Sequence, residues 1–397
     1  MKDDIPYGRQ WIEDDEIEAV VKVLRSDWIT QGPKIEEFEG RLAEYCGTRF
    51  AVAVSSGTAA LHMACLTAGI GKDDEVIISP ITFIASSNCV LYCGGRPVFA
   101  DIEEDTANID SEEIKKRITS KTKAIIPVHF AGHPCDLEAI GQIAKENNLI
   151  IIEDACHALG AEYRIQKSEW VKVGSCKHSD MTVFSFHPVK HITTGEGGAV
   201  LTNDEELYKR LKIFRNHGIT RDPEDFVNTD LAFPSSPGPW YYEMQALGYN
   251  YRITDFQCAL GIKQLEKADR FVERRRDIAA EYTKAFKDMD EVITPGEREK
   301  VKASYHLYVI QVKSGRLNRR DVFENLRKEG IGVQVHYIPV HLQPYYQQNL
   351  GYKKGAYPKA EQFYERALSL PIFPKMNDQD VERVIKSTQR VIRCEAE

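Results

Sequence analysis

From residue 50 onward, short apolar runs alternate with amphipathic stretches along the chain. The apolar runs predict strands at Phe50–Val54, Glu75–Ser79, Pro97–Asp101, Lys123–His129, Leu149–Asp154, Met181–Phe186 and Gly198–Thr202. The amphipathic stretches between them predict helices at Thr58–Ala68, Ile84–Cys93 and Leu137–Asn147. Continuously apolar strands that alternate with helices are typical of a parallel sheet covered on both faces. The pattern therefore predicts an α/β fold with a mostly parallel sheet between helices.

The pattern changes after Asn203 and predicts a second unit toward the C-terminus. A helix at Asp204–Phe214 precedes a Pro- and Ser-rich irregular segment, Asp222–Pro239, and loops of that length are usually functional or mobile. A long helical stretch, Thr254–Asp288, then leads to predicted strands at His306–Val312 and Val333–Tyr337 and predicted helices at Arg320–Glu329, Pro358–Ala367 and Asp378–Ile392. We expect a large domain over residues 1–265 and a smaller α/β domain over residues 266–397.

Composition and charge exclude several classes of protein. The net charge of -8 gives no reason to expect a nucleic-acid partner, so a phosphorylated ligand would need a local pocket of N–H donors. Apolar runs fall short of the roughly 18 residues of a membrane span, and the polar N-terminus does not resemble a secretion signal. The nine cysteines are scattered, with no second pair near Cys89 and Cys93 to complete a zinc cage. We expect a soluble cytoplasmic protein with reduced thiols.

Candidate ligand-binding residues follow the predicted strands, because ligands of open α/β sheets bind beyond the carboxyl ends of the strands. After the strand Phe50–Val54, a turn of small residues opens a helix. Gly57 there allows close backbone approach, and the free N–H groups of the first helical turn suit a phosphate. An ordinary helix cap by Ser56 is the simpler alternative.

Two further strand ends carry ionisable groups. Asp154 closes a buried apolar strand, where an unpaired carboxylate is costly, and a protonated pyridine nitrogen would satisfy it; a structural helix cap is the alternative. Lys190 lies between a strand end and the Gly-rich turn Gly195–Gly198. A lysine so constrained has a lowered pKa and can act as nucleophile or base, whereas an average lysine is a surface charge. The segment Leu247–Arg252 reads, from composition alone, as a turn before a helix.

Together these segments closely resemble the DegT/DnrJ/EryC1/StrS family of sugar aminotransferases, with Phe184–Ala199 the most specific stretch. The likeness extends from Thr30-Gln31-Gly32-Pro33 to Val335-His336-Tyr337. It implies the aspartate aminotransferase-like fold (fold type I), pyridoxal phosphate as cofactor, and L-glutamate as amino donor in ping-pong kinetics.

The resemblance also implies a role for each matching position. Lys190 would be the Schiff-base lysine, and Asp154 would pair with the pyridine nitrogen. The remaining cofactor contacts would be made by Phe83 on the ring face, His157 near the phenolic oxygen, and Gly57, Thr58 and Ser185 on the phosphate. Asn250 would reach the phosphate in a partner subunit, which implies a homodimer with shared active sites. His187, His336 and Tyr337 are candidates for substrate binding, with a structural role as the alternative for each.

The acceptor is implied by resemblance alone. The segments Ser185–Asp204, Trp240–Leu265 and Val335–Tyr346 look most like the branch of the family that acts in pseudaminic acid biosynthesis. The acceptor would then be a UDP-linked 4-keto-6-deoxy-N-acetylhexosamine, aminated at C4 to give UDP-4-amino-4,6-dideoxy-N-acetyl-β-L-altrosamine. Another nucleotide-linked keto sugar stays open as an alternative.

Several other functions compete with this interpretation. In the sugar dehydratase branch of the fold a histidine replaces the Schiff-base lysine, whereas here Lys190 holds that position and His191 follows it. A regulator that binds the cofactor without turnover is a second rival. A zinc hydrolase built on His129 and His133 would need a third ligand, which the sequence nearby does not offer. A nicotinamide enzyme fails because no Gly-x-Gly-x-x-Gly follows a predicted strand.

Overall fold

The computed structural model describes residues 4–165, 169–228, 238–313 and 318–393. Within these ranges the helices are α1 (Asp14–Leu24), α2 (Pro33–Cys46), α3 (Gly57–Thr67), α4 (Ala85–Tyr92), α5 (Ser111–Arg117), α6 (Leu137–Asn147), α7 (Glu205–Arg215), α8 (Asp255–Glu266), α9 (Ala268–Phe286), α10 (Arg319–Lys328), α11 (Pro344–Leu350), α12 (Pro358–Arg366) and α13 (Asp378–Arg393). None of them combines the length and the apolar character that crossing a bilayer requires.

The strands in the described ranges form one large sheet and three small ones. They are β1 (Phe50–Val54), β2 (Glu75–Ile78), β3 (Arg96–Phe99), β4 (Thr122–Ile126), β5 (Ile150–Asp154), β6 (Glu162–Ile165), β7 (Glu169–Lys172), β8 (Met181–Ser185), β9 (Gly198–Thr202), β10 (Ile219–Thr220), β11 (Glu243–Met244), β12 (Val292–Ile293), β13 (Val301–Lys302), β14 (Tyr308–Val312) and β15 (Ala367–Leu370). The large sheet has the strand order β1-β9-β8-β5-β4-β2-β3.

The large sheet is mostly parallel and is buried on both faces. Strands β8, β5, β4, β2 and β3 pair in parallel, and β9 alone runs antiparallel between β1 and β8. Successive side chains of β1 enter different cores: Ala51 and Ala53 pack in one cluster, Val52 and Val54 in the other. Since neighbouring strand residues point to opposite faces, each cluster marks one covered face. The predicted α/β fold with its mostly parallel sheet is confirmed.

The C-terminal part builds a third core around a small sheet of order β12-β14-β15. Helices α9, α10 and α13 supply Ile278, Val322 and Val384 to that core, against Ile310 of β14. The predicted division of the chain at residue 265 stays a prediction. Residues 229–237, the middle of the predicted irregular segment Asp222–Pro239, lie outside the described ranges.

Several predicted elements differ from the structure in their bounds, and the last part of the chain holds the clearest cases. Residues 333–337, all described, form no strand: Gln334 alone makes a bridge, to Ser369, while His336 and Tyr337 turn into a cavity described below. The predicted helix Pro358–Ala367 ends one residue early because Ala367 begins β15. The long predicted helix is two helices, which meet at Lys267; its amine bonds Glu13, Asp15 and Glu16 at 2.5–2.9 Å.

Candidate active site

A cavity of about 460 Å³ opens beyond the carboxyl ends of β5 and β8, beside the N-terminus of α3. With the exception of Asn250, every site residue predicted from the sequence lines it. Three larger cavities, of about 500, 590 and 630 Å³, lie elsewhere, and the described residues that line them include none of the predicted ones. The predicted site residues at the strand ends therefore lie together at the carboxyl edge of the sheet.

One end of the cavity is suited to an anion. Ser56 caps α3 by accepting a hydrogen bond from the Ala59 N–H at 3.1 Å, so the N–H groups of Gly57 and Thr58 occupy the first turn. Those N–H groups have no acceptor within the helix, and the helix dipole adds partial positive charge. A Cβ on Gly57 would lie 2.8 Å from the Ser185 Cβ. Glycine thus lets the helix start touch the end of β8.

Asp154 ends β5 with a buried carboxylate that has two donors. The Ser86 hydroxyl donates to Oδ2 at 2.6 Å, and the Cys156 N–H donates to Oδ1 at 3.1 Å. The Cys156 contact closes a local turn. No helix forms in the fully described stretch between β5 and β6, so Asp154 is not the helix cap of the structural alternative, and it lines the cavity. A carboxylate keeps acceptor capacity beyond two hydrogen bonds, so it can also receive a donor from a ligand.

Lys190 lies in a turn after β8, with its amine inside the cavity. Burial lowers the pKa of this amine from its usual value, and the negative charge of Asp154 opposes that shift. Lys190 Nζ lies 3.5 Å from His306 Nε2. A lowered pKa increases the share of the neutral amine, the form that acts as a nucleophile or accepts a proton.

A group of neutral histidines surrounds this amine. The rings of His157 and His306 lie 4.3 Å apart, and burial holds the pKa of each well below its usual value, with the charge of Lys190 adding to the effect. His157 Nε2 pairs with the Tyr337 hydroxyl at 3.1 Å. His157 Nδ1 and His306 Nδ1 have no hydrogen-bond partner among the described residues, so each can bond a ligand that enters the cavity.

The other predicted residues fall into different surroundings. Phe83 is 56% exposed on the cavity wall, with a ring free to cover a planar ligand. His187 is exposed, whereas His336 is buried with Nδ1 at 2.8 Å from the Ser369 hydroxyl. Asn250 is exposed, forms a bridge with Asn216, and is not among the described residues that line the cavity.

Residues that the sequence did not single out also reach the cavity. Ser86, Cys156, His306 and Tyr7 all line it. Ser86 follows the predicted ring-covering Phe83 by three residues, and its N–H donates to the Phe83 carbonyl at 3.2 Å, so proximity in the sequence is the one local signal for it. His306 and Tyr7 come from remote parts of the chain, and no local pattern indicates them.

The geometry does not favour a zinc site on His129 and His133. His129 Nε2 lies 2.8 Å from buried Glu153, which also bonds Thr182 and Ser179. His133 Nδ1 lies 2.8 Å from the Pro134 carbonyl. Within the described ranges, the group of three candidate ligands close enough to share an ion is Glu13, Asp15 and Glu16, which already bind Lys267.

Comparison with known proteins identifies the family. The model of the DegT/DnrJ/EryC1/StrS aminotransferase family matches residues 10–389. The spore coat polysaccharide biosynthesis protein SpsC of Bacillus subtilis is 40% identical, over 98% of this chain and 97% of its own length. The UDP-4-amino-4,6-dideoxy-N-acetyl-beta-L-altrosamine transaminase of Campylobacter jejuni is 38% identical, over 96% of this chain and 95% of its own.

A solved structure shares the whole architecture. It is that of Helicobacter pylori PseC, an aminotransferase involved in the biosynthesis of pseudoaminic acid. The two chains superpose with a TM-score of 0.86 and 33% identity, and the match covers 98% of this chain and 100% of the other. The chain therefore belongs to the DegT/DnrJ/EryC1/StrS aminotransferase family, whose enzymes use pyridoxal phosphate.

Proposed function

We propose that this protein transfers an amino group from L-glutamate to C4 of a UDP-linked 4-keto-6-deoxy-N-acetylhexosamine. The observation that carries the proposal is the meeting of Lys190, Asp154 and the N-terminus of α3 in one cavity. The altrosamine transaminase and PseC, both similar over nearly their whole length, support the acceptor. The product would be UDP-4-amino-4,6-dideoxy-N-acetyl-β-L-altrosamine.

The cavity fits pyridoxal phosphate at three points. The N–H groups of Gly57 and Thr58, with the Ser185 hydroxyl, would hold its phosphate; Asp154 would accept from its pyridine nitrogen. When bound, the cofactor supplies an electron sink that stabilises negative charge at the carbon bearing the amino group. Phe83 would cover one face of the ring, and His157, with an unpaired buried Nδ1, would lie near its phenolic oxygen.

Lys190 is the residue that would hold the cofactor covalently and move protons. Its amine is enclosed in the cavity, and burial lowers its pKa, so it can both attack a carbonyl carbon and accept a proton. The neutral state of His157 and His306 keeps further positive charge away from that amine. His187, His336 and Tyr337 would contact the sugar nucleotide at the cavity wall.

A second acceptor class has its own support. SpsC is named for spore coat polysaccharide biosynthesis and is slightly more similar than the altrosamine transaminase, so another nucleotide-linked keto sugar is the alternative acceptor. The dehydratase and the non-catalytic regulator lack such support, because Lys190, Asp154 and Ser185 all line the cavity.

The active protein is a homodimer whose subunits share their active sites. Asn250 is exposed and is not among the described residues that line its own cavity, and the segment before it exposes Tyr242, Met244 and Leu247. Exposed apolar side chains that cluster in this way mark contact surfaces. Asn250 would then reach the phosphate in the partner's cavity. A cytoplasmic location is part of the proposal, supported by free cysteines throughout the described residues.

A spectroscopic titration tests the reaction and its acceptor. Protein reconstituted with pyridoxal phosphate should be yellow, lose that colour with L-glutamate, and regain it with the UDP-linked 4-keto sugar. UDP-, GDP- and dTDP-linked keto sugars should be compared, and return of colour with a different sugar alone would reassign the acceptor. Absence of any change with L-glutamate would refute the aminotransferase, and the regulator would then be the better interpretation.

Mixing two inactive variants tests the shared sites. Lys190→Ala and Asn250→Ala homodimers should each have little activity, because every site lacks one of the two residues. In heterodimers, one of the two sites regains both residues, so random mixing should restore about a quarter of wild-type activity. If the mixture is no more active than its components while light scattering shows dimers, the subunits do not share sites.

A further inference from the structure

Asp154 receives its strongest contact from a residue of another element. The Ser86 hydroxyl, on the first turn of α4, lies 2.6 Å from Asp154 Oδ2, and the same hydroxyl lies 2.6 Å from Thr82 Oγ1. All three side chains are almost fully buried, with 1%, 3% and 4% exposure for Ser86, Thr82 and Asp154. Side chains with so little exposure bond one another rather than bulk water, so the chain of hydrogen bonds is part of the site.

The direction of these hydrogen bonds follows from chemistry. An ionised carboxylate can only accept, so Ser86 gives its single proton to Asp154. The Ser86 oxygen is then free to accept from the Thr82 hydroxyl. Thr82 therefore donates to Ser86 and Ser86 donates to Asp154, which polarises both hydroxyls toward the carboxylate.

We propose that Ser86 is a positioning residue for the cofactor, which holds the Asp154 carboxylate in the orientation that receives the pyridine nitrogen. The inference rests on the proposed function, and in particular on Asp154 as the partner of that nitrogen. Two donors, Ser86 on Oδ2 and the Cys156 N–H on Oδ1, fix the plane of the carboxylate from opposite sides.

The neighbouring serine supplies a matched control. Ser87 lies on the same turn and is buried, but its hydroxyl is 2.7 Å from the Tyr346 hydroxyl and 3.1 Å from the Ile84 carbonyl, not from Asp154. Replacing Ser86 or Ser87 by alanine therefore removes the same atom from the same helix. Only the Ser86 change removes a donor from the carboxylate.

Cofactor affinity is the readout, measured on the apoprotein by fluorescence titration with pyridoxal phosphate. Loss of one hydrogen bond to a charged group should weaken the binding of Ser86→Ala about tenfold, whereas Ser87→Ala should stay within about twofold of wild type. Thr82→Val, which keeps the side-chain shape, should weaken binding by a smaller factor, about threefold. If Ser86→Ala does not fold, the affinity of Thr82→Val tests the same chain of hydrogen bonds.

An analogue with carbon in place of the ring nitrogen separates positioning from packing. The analogue cannot form a hydrogen bond with Asp154. Wild type, Ser86→Ala and Thr82→Val should therefore all bind the analogue with the same affinity. The inference would be overturned if Ser86→Ala lost affinity equally for pyridoxal phosphate and for the analogue, because Ser86 would then only pack α4. Unchanged affinity of Ser86→Ala for pyridoxal phosphate would overturn it as well. If wild type itself fails to bind pyridoxal phosphate, the proposed function falls instead, and the two failures are distinguishable.

Discussion

Substituting Gly57 tests the anion-binding end of the cavity, because the structure leaves no room for a side chain there. The added Cβ would lie 2.8 Å from the Ser185 Cβ and 3.1 Å from its Oγ. To restore ordinary van der Waals separation, the start of α3 and the end of β8 must move apart by about 1 Å. Such overpacking costs about 1–3 kcal/mol.

The same movement separates the donors that would share a phosphate. The N–H groups of Gly57 and Thr58 would shift relative to the Ser185 hydroxyl, and losing one hydrogen bond to the charged phosphate costs about 1.5–3 kcal/mol. We therefore expect Gly57→Ala to bind pyridoxal phosphate about 10–100 times more weakly than wild type, and to unfold in less urea. Fluorescence titration and urea denaturation measure the two effects.

Gly40→Ala is the matched control for this substitution. Gly40 lies inside α2, is exposed, and an added Cβ would meet no atom of the described residues within 4 Å. Alanine in an exposed helix interior should raise the free energy of unfolding by about 0.5–1 kcal/mol and leave cofactor affinity unchanged. If Gly57→Ala matches wild type in affinity, as Gly40→Ala should, the close approach of α3 and β8 does not build the phosphate site.

Three further predictions concern the wider framework. Gly198→Ala should be more damaging than Gly57→Ala, because its Cβ would lie 2.6 Å from the backbone of Ser56; urea denaturation should show the order. Arg215→Met should cost about 3–5 kcal/mol in urea denaturation, because it leaves buried Glu39 unpaired, and adding Glu39→Met should recover part of the loss. Burial lowers the pKa of His133 and His336 to about 4 in the folded protein. The contribution of each ring to the free energy of unfolding, about 3 kcal/mol, is fully present above pH 6.5 and is lost as the pH falls to about 4. Stability should therefore fall as the pH drops from 6.5 to about 4. Urea midpoints at several pH values measure that slope, and a flat profile between pH 6.5 and 4 would contradict it.

The strands of the large sheet could be predicted because both of their faces are buried. Phe50–Val54 and Gly198–Thr202 keep their predicted bounds, since these segments, in which Thr202 is the one polar residue, have no polar face to expose. The direction of β9 could not be predicted, because an apolar run does not indicate whether the strand pairs in parallel or antiparallel. Val333–Tyr337 has the alternation of a strand, but tertiary contacts of His336 and Tyr337 at the cavity override it.

The site could be predicted where a strand end places a side chain, and not where two distant segments meet. Asp154 and Lys190 each follow a strand of the same sheet, so the fold brings them to one edge. The partners of these residues come from elsewhere: Ser86 is 68 residues from Asp154, and His306 is 116 residues from Lys190. Nothing local to either segment encodes such a pairing, so only the packed structure reveals it.

The most direct test of the central claim locates the cofactor on the chain. Protein loaded with pyridoxal phosphate is reduced with borohydride, digested, and examined by mass spectrometry. The account predicts one modified peptide, with the phosphopyridoxyl group on Lys190, the lysine whose amine opens into the cavity. A stable modification on a different lysine, with Lys190 unmodified, would contradict the account.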